Sequence, residues 1–88
     1  MQAAELPALV TVRGVVYARV LQLYGRVRGQ FHYIRRSVPP DAKPGKRSAW
    51  PVTYRPGLLP LDAQPVDEET ATQIQRASLQ AYLERAGT

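Results

Sequence analysis

Apolar and basic residues alternate along Tyr24-Gly25-Arg26-Val27-Arg28-Gly29-Gln30-Phe31-His32-Tyr33-Ile34-Arg35-Arg36. This alternation predicts one strand of a curved sheet, because successive side chains of a strand point to opposite faces. One face is predicted to be buried and carries Val27, Phe31 and Tyr33. The other is predicted to be basic and exposed, and it carries Arg28, Gln30, His32 and Arg36. A cationic face backed by aromatic residues is typical of a surface that meets an anionic partner.

The size and composition of the chain indicate a single small folded domain. Of its 88 residues 44% are hydrophobic and 22% are charged, which is ordinary for a globular protein. A domain of this size has a thin stability margin, which a homodimer would widen. The chain contains no cysteine, so disulfides and thiolate metal sites are excluded.

The net charge of +5 conceals a strong asymmetry along the chain. Between Arg13 and Arg55 there are ten cations and one acid, Asp41, which makes +9. From Pro56 onward five acids face two arginines, which makes −3, and Glu5 supplies the remaining −1. The sequence therefore predicts a basic body followed by an acidic C-terminal part.

No stretch approaches the roughly 18 consecutive apolar residues that a membrane span requires. The first five residues also lack the basic start and apolar core of a signal peptide. We expect a soluble, cytoplasmic protein without a membrane partner.

The first half of the chain is rich in β-forming residues. Leu9 to Arg13 is predicted to form a strand that Gly14 interrupts. Residues Val15 to Tyr24 fit either a strand or a buried helix, and the β-branched and aromatic content favours the strand. Gly25-Arg26 is predicted to make a hairpin turn that sends the next strand back antiparallel.

Beyond Arg36 the pattern changes twice. The three prolines and one glycine between Ser37 and Arg47 predict an extended loop. Ser48 to Arg55 is predicted to be an edge strand, because Pro51 lacks an amide donor. Asp67 is a predicted N-cap, with Glu68 and Glu69 in the first turn of a C-terminal helix.

These elements predict an α+β domain with three or four antiparallel strands, partly rolled, and one C-terminal helix. The whole chain, 1–88, is predicted to be one domain: a loose leader 1–7, a basic β region 8–57, a connector 58–66 and the helix 67–86.

Residues suited to catalysis do not form a recognisable motif. His32 is the only histidine, and Glu68 and Glu69 are adjacent, so they point to different parts of a helix surface. The glycines near Arg26 lack the lysine and the strand-loop-helix context of a phosphate loop. We predict no catalytic residue, no metal site, no cofactor and no enzymatic activity.

The basic cluster is the signal with functional content, because arginine binds phosphate or guanine through a planar fork. The candidate nucleic-acid-binding residues are Arg26, Arg28, Gln30, His32, Arg35, Arg36, Lys43, Lys46 and Arg47. A solvated arginine-rich surface around an aromatic core is the competing interpretation.

Residues 24–41 also resemble the opening of the N-terminal arm-binding domain of phage-type tyrosine recombinases. The shared pattern comprises Gly29, Phe31, Tyr33, Arg35, Arg36, Val38, Pro39 and Asp41. In that family a three-stranded sheet lies in the DNA major groove, with a helix packed behind it. The resemblance implies that Arg28, Gln30, His32 and Arg36 form a groove-facing surface.

Our leading hypothesis is a small nucleic-acid-binding module of phage or mobile-element type, with duplex DNA as the favoured ligand. The alternative is a protein-interaction module that binds or inhibits a host factor. Its contact residues would be Trp50, Tyr54, Leu79 and Leu83.

Overall fold

The computed structural model of the protein describes residues 6–24 and 27–87, with residues 22–24 and 27–28 described by their backbone alone. Its elements are β1 (Leu9–Val12), β2 (Val15–Tyr24), β3 (Val27–Arg35), β4 (Thr53–Tyr54), β5 (Gln64–Pro65) and α1 (Glu68–Ala86). The strands form one antiparallel sheet in the order β4-β3-β2-β1-β5. The predicted α+β class with one C-terminal helix is confirmed, and the described sheet has five strands because the connector contributes β5.

A tight turn at Arg13 and Gly14 joins β1 to β2. Both residues have positive φ, 49° and 84°, and Val12 pairs directly with Val15. Two positive φ values in a two-residue loop are the conformation that matches the twist of a hairpin. Glycine adopts this conformation without steric cost, so Gly14 determines where the chain reverses.

The structure confirms that Val15 to Tyr24 is a strand. Val15, Val16 and Tyr17 are fully buried, although neighbours along a strand point to opposite faces. Both faces of the sheet are therefore covered at this point, which explains why the sequence there does not alternate with polar residues. The turn predicted at Gly25-Arg26 lies outside the described residues.

The two faces of the sheet carry separate apolar clusters. The first contains Leu6, Val10, Val12, Val15, Tyr17 and Tyr33, and Trp50, Tyr54, Leu59 and Ala63 pack against it. Leu59 and Ala63 lie in the chain that crosses from β4 at one edge of the sheet to β5 at the other, whereas Trp50 precedes β4 and Tyr54 belongs to it. The second contains Leu9, Val16 and Ala71, and Ala18, Val66 and Ile74 pack against it. The sheet therefore lies between the crossing chain and α1.

Two predicted boundaries are wrong. The leader was predicted to be loose through Pro7, but Leu6 is buried and the Pro7 carbonyl accepts a 2.7 Å hydrogen bond from the Tyr33 hydroxyl. Residues 1–5 lie outside the described part. The edge strand predicted over Ser48–Arg55 is at an edge of the sheet, but only Thr53 and Tyr54 form it.

Helix α1 begins as predicted. The Asp67 carboxylate accepts a 2.8 Å hydrogen bond from the Thr70 amide. Hydrogen bonding from the Thr70 side chain, and then from its amide, lowers the pKa of Asp67. Ala71 and Ile74 pack on the sheet, whereas Leu79 and Leu83 are exposed. The part of the helix that packs on the sheet is therefore its first half. No helix in the described residues has the length and apolar character needed to cross a membrane.

Strands β2 and β3 continue beyond their neighbours. The β1 ladder ends where Leu9 pairs with Ala18, and β4 pairs only with Tyr33 and Ile34. Residues 20–24 and 27–32 consequently form a two-stranded extension, which we call the ribbon. The molecule is elongated, with principal extents of 47 × 27 × 21 Å.

Candidate nucleic-acid interface

The predicted basic face of β3 is covered at His32 in the structure. His32 pairs with Val20 and is only 8% exposed, and its Nε2 atom is buried without a hydrogen-bond partner. Phe31, which was predicted to be buried, is 42% exposed. The prediction is therefore wrong for these two residues. The physical reason is that α1 packs on the same sheet face as His32, while the crossing chain does not extend over Phe31.

Arg36 is tied to the helix instead of facing a groove. Its guanidinium forms an ion pair with the Glu68 carboxylate, including a contact of 3.2 Å from Nη1 to Oε2. The Arg36 carbonyl also accepts a 3.1 Å hydrogen bond from Gln75. The pairing raises the pKa of Arg36 and lowers the pKa of Glu68. Part of the Arg36 charge is therefore neutralised at the end of β3.

Arg35 lies on the opposite face of the strand and is half-buried. Its Nη1 atom donates a 2.7 Å hydrogen bond to the Trp50 carbonyl, and its amide donates to the Val52 carbonyl at 2.8 Å. These bonds fix the guanidinium at the base of the loop that follows β3. Arginine has five N–H donors, so donors remain for a ligand.

Five cations line two adjoining open cavities at this end of the sheet. The first cavity, of about 340 Å³, is lined by Arg35, Arg36, Lys43 and Lys46, with Ser37, Ser48 and Tyr82 among the other lining residues. The second, of about 500 Å³, shares Arg35, Lys46 and Ser48 with the first and adds Arg47. We call Arg35, Arg36, Lys43, Lys46 and Arg47 the cationic cluster.

The loop that carries the cluster is held in shape by Asp41. Its carboxylate accepts 2.6 Å hydrogen bonds from the Ser48 hydroxyl and from the Ala49 amide. These bonds lower the pKa of Asp41, the Ala49 amide contributing most. The Asp41 carboxylate therefore faces hydrogen-bond donors of its own loop. These bonds join the two ends of the segment that carries the lysines.

A tight turn places the lysines. The Lys46 amide donates a 3.2 Å hydrogen bond to the Lys43 carbonyl, and Gly45 has a φ of 74°. Proline at the second position and a positive-φ glycine at the third are the signature of a type II turn. Lys43, Lys46 and Arg47 are all exposed. Two acids lie in the same region: Asp41 bonds to the loop and Glu68 pairs with Arg36. Their two negative charges reduce the five positive charges of the cationic cluster to a net charge of +3.

The structure brings together five of the nine predicted nucleic-acid-binding residues. Gln30 is exposed but lies on the ribbon, and His32 is buried. Arg26 and the Arg28 side chain lie outside the described residues. Sequence reasoning missed Ser48 and Tyr82, which also line the first cavity. No local pattern could have found Tyr82, because the fold of the helix onto the loop places it there.

The residues predicted for a protein partner divide into two pairs. Trp50 and Tyr54 are half-buried and face the core: the Trp50 indole donates to the Val12 carbonyl at 3.4 Å, and the Tyr54 ring contacts Tyr17 edge-on at 5.0 Å. Their side chains therefore contribute to the core, and their assignment to a partner surface stays a prediction. Leu79 and Leu83 are exposed by 48% and 59%.

Within residues 6–24 and 27–87 no group of three histidine, aspartate or glutamate side chains is placed to hold a metal ion. Comparisons with protein-family models, curated proteins and solved structures found no match to this chain. The resemblance of residues 24–41 to recombinase arm-binding domains therefore stays a prediction.

Proposed function

We propose that this protein binds nucleic acid, with duplex DNA as the favoured ligand, through phosphate contacts at the cationic cluster. The observation that supports this proposal is the arrangement of five cations around two adjoining open cavities. An open, concave, positively charged surface attracts a polyanion and fits its backbone better than it encloses a small molecule.

The exposed members of the cluster provide most of the affinity. Lys43, Lys46 and Arg47 reach solvent, whereas Arg35 and Arg36 are partly engaged by Trp50 and Glu68. Lysine binds phosphate as a point charge and arginine as a fork, and neither contact with phosphate reads a sequence. We therefore expect binding that is strongly dependent on salt and weakly dependent on sequence.

The contact differs from the sheet-in-groove mode that the recombinase resemblance implies. That mode requires His32 and Arg36 to face the ligand, but His32 is buried and Arg36 is paired with Glu68. The loop between Arg36 and Ser48 replaces the strand as the main contact element. The sheet and α1 serve to hold that loop in place.

The test is a fluorescence-anisotropy titration of a labelled duplex between about 50 and 200 mM salt. For about three to four phosphate contacts the slope of log K against log salt is expected to be roughly −3. Lys46→Glu should weaken binding by roughly tenfold at low salt. The matched control is Arg76→Glu, because Arg76 is an exposed helix cation that does not line either cavity and makes the same change in charge.

Two results would contradict the proposal. One is an affinity that does not change with salt. The other is an equal loss in the Lys46→Glu and Arg76→Glu proteins, which would show that only net charge matters. A single-stranded probe and an RNA duplex of the same sequence, titrated in parallel, determine which nucleic acid is preferred.

The protein-interaction alternative is favoured by one observation. Leu79 and Leu83 are exposed and lie four residues apart on α1, so they form one apolar strip on the helix surface. Such a strip is suited to a groove in a partner protein. A pull-down from host lysate that loses its bound protein with Leu79→Ser and Leu83→Ser would support this function, and one that retains it would exclude the strip.

A further inference from the structure

A third cavity lies beside the cationic cluster and has a different lining. Its volume is about 260 Å³, and it lies between the β1–β2 turn, the loop that follows β3 and the second half of α1. Its apolar lining residues are Val38, Pro39, Pro40 and Ala81. We call it the apolar cavity. Val38 and Pro39 also line the first cavity of the cationic cluster, so the two cavities adjoin.

Two arginines add positive charge to the apolar cavity. Arg13 lines it from the β1–β2 turn, and Arg85 lines it from the last turn of α1, where its Nη2 atom donates a 3.3 Å hydrogen bond to the Ala42 carbonyl. The Ser78 hydroxyl, which also lines the cavity, donates to the Gln75 carbonyl of its own helix. No acid lines the cavity in the part of the chain that the structure describes. A suitable occupant is therefore an apolar group attached to an anion.

Arg13 has a backbone conformation that disfavours its side chain. Its φ is 49°, in the left-handed region where asparagine and aspartate are the enriched residues after glycine. The Arg13 guanidinium lies 5.4 Å from the centre of the Trp50 ring, and Trp50 lines the second cavity of the cationic cluster. A strained residue at a candidate site indicates a function for its side chain. Here that side chain connects the apolar cavity with the cationic cluster.

The size and the arrangement of the cavities indicate the class of ligand. Whole-ligand pockets commonly measure about 300–1,000 Å³, so the apolar cavity, at about 260 Å³, suits one ring system of a larger ligand. The adjoining first cavity is lined by four cations, which suit phosphate. A nucleotide joins a flat base to a phosphate, and proteins hold unstacked bases against apolar side chains and arginine planes.

We propose that the apolar cavity holds the base of an unpaired nucleotide whose phosphate binds in the first cavity. A paired base would first have to leave its stack and its partner, and an unpaired base avoids that cost. The preferred ligand is therefore a duplex that carries an unpaired nucleotide, in preference to a blunt duplex. This inference rests on the proposed nucleic-acid binding and adds a base site to the phosphate site.

Fluorescence anisotropy with labelled duplexes of one sequence tests the proposal. A blunt duplex is compared with duplexes that carry one unpaired adenine nucleotide at the 3′ end or at the 5′ end. At one of these ends the adenine should raise the affinity at least about fivefold. The control duplex carries an abasic nucleotide at the same end. It adds the same phosphate charge without a base, so its affinity should stay close to that of the blunt duplex.

Two variants locate the base. Ala81→Leu should abolish the gain from the adenine, because the larger side chain fills the cavity while leucine preserves the helix. Ala77→Leu is the matched control: it is the same substitution at an exposed position of α1 that does not line the cavity, and it should keep the gain. Arg13→Asn should reduce the gain by about threefold. Asparagine suits the positive φ of the turn, so this variant should fold, which its thermal midpoint checks.

Equal affinities for the adenine-extended and blunt duplexes, with salt-dependent binding of the blunt duplex intact, would overturn the base site and leave the proposed function in place. An equal gain with the abasic extension would show that only the added phosphate matters. A gain that Ala81→Leu retains would show that the base binds elsewhere, and either of these results overturns the inference. Absence of salt-dependent binding to every duplex would contradict the proposed function itself, and the base site with it.

Discussion

Arg36, the residue that follows β3, forms an ion pair with Glu68 in the first turn of α1. The pair joins the end of the longest hairpin to the start of the helix, across 32 positions of sequence. It also places an acid beside a cavity whose charged lining residues are all cations. The net charge around that cavity therefore depends partly on the helix.

Glu68→Gln is expected to raise the affinity for duplex DNA. The substitution removes the acid beside the cationic cluster and releases the Arg36 guanidinium, so affinity at low salt should rise roughly two- to fivefold. The thermal midpoint should change little, because an exposed ion pair contributes little to stability. The control is Glu69→Gln, an identical charge change at the next position. An equal gain in both proteins would contradict a specific role for Glu68.

Asp41→Asn is expected to loosen the loop that carries the lysines. The Asn side chain has one acceptor oxygen where Asp41 has two, so the Ser48 hydroxyl must turn to accept from the new NH2 group, and both charge-assisted bonds become weaker neutral ones. Because the positions of the cationic cluster's side chains then vary, the affinity for duplex DNA should fall roughly threefold at low salt, although the net charge rises by one. An affinity that rises instead would show that Asp41 acts only as an opposing charge.

The lowered pKa of Asp41 predicts that the structure of the loop changes at acid pH. The pKa of Asp41 is lowered in the folded protein, so its contribution is complete above the ordinary value of about 3.9 and is lost as pH falls through the lowered value. Trp50, the only tryptophan, reports it, because its amide donates to the Ser48 hydroxyl at 3.0 Å. Its fluorescence should change below about pH 4 in the parent protein and not in Asp41→Asn.

Ser37→Ala is expected to destabilise the fold. The buried Ser37 hydroxyl oxygen accepts a 2.8 Å hydrogen bond from the Val16 amide, and the substitution leaves that amide unsatisfied. The free energy of unfolding should fall by about 1–3 kcal/mol, which lowers the midpoint by at least about 4 °C. Ser78→Ala is the control, because that hydroxyl bonds only within its own helix. Equal stability of the two variants would contradict this role.

Stability is expected to fall at alkaline pH through Tyr17. Burial raises the pKa of Tyr17 to about 12, so the neutral phenol stabilises the fold fully below about pH 10, and this is lost as pH rises toward 12. Burial also raises the pKa of Tyr33, which adds to the same loss.

The Tyr17→Phe variant separates the contribution of the Tyr17 hydroxyl to this pH dependence from that of Tyr33. The variant loses the 2.6 Å hydrogen bond from the hydroxyl to the Pro51 carbonyl, so it should be less stable at pH 7 by about 1–2 kcal/mol. Its stability should then fall less between about pH 10 and 12 in urea unfolding. Tyr82→Phe, at a half-exposed position, serves as the control. A parallel alkaline loss in Tyr17→Phe and the parent would refute the assignment.

Local patterns predicted most of the elements. Alternating and β-branched residues indicated β1, β2 and β3, and Asp67 followed by Glu68 and Glu69 indicated the start of α1. Each of these signals acts over a few residues of chain, because capping and strand propensity are local properties. Strand β4 was predicted with bounds that are too wide, and the two-residue strand β5 was not predicted, since the pairing of such short strands depends on neighbours that are distant in sequence.

The candidate site was predicted in part. Lys43, Lys46 and Arg47 follow from the loop composition alone, because a segment with three prolines and a glycine is surface loop and its charges are solvated. His32 and Arg36 were assigned to the same surface because strand alternation gives two faces but does not identify the exposed one. In the structure α1 packs on the sheet face that carries His32, and His32 is buried, contrary to the prediction.

By itself, the amino-acid sequence determined the order of strands and helix and the separation of a basic body from an acidic C-terminal part, because periodicity, capping and charge are properties of short segments. Only the tertiary structure decided which charges remain available to a ligand. That outcome depends on which sheet face the helix covers and which arginines it pairs, and both are settled by packing between residues about 30 or more positions apart, such as Arg36 and Glu68.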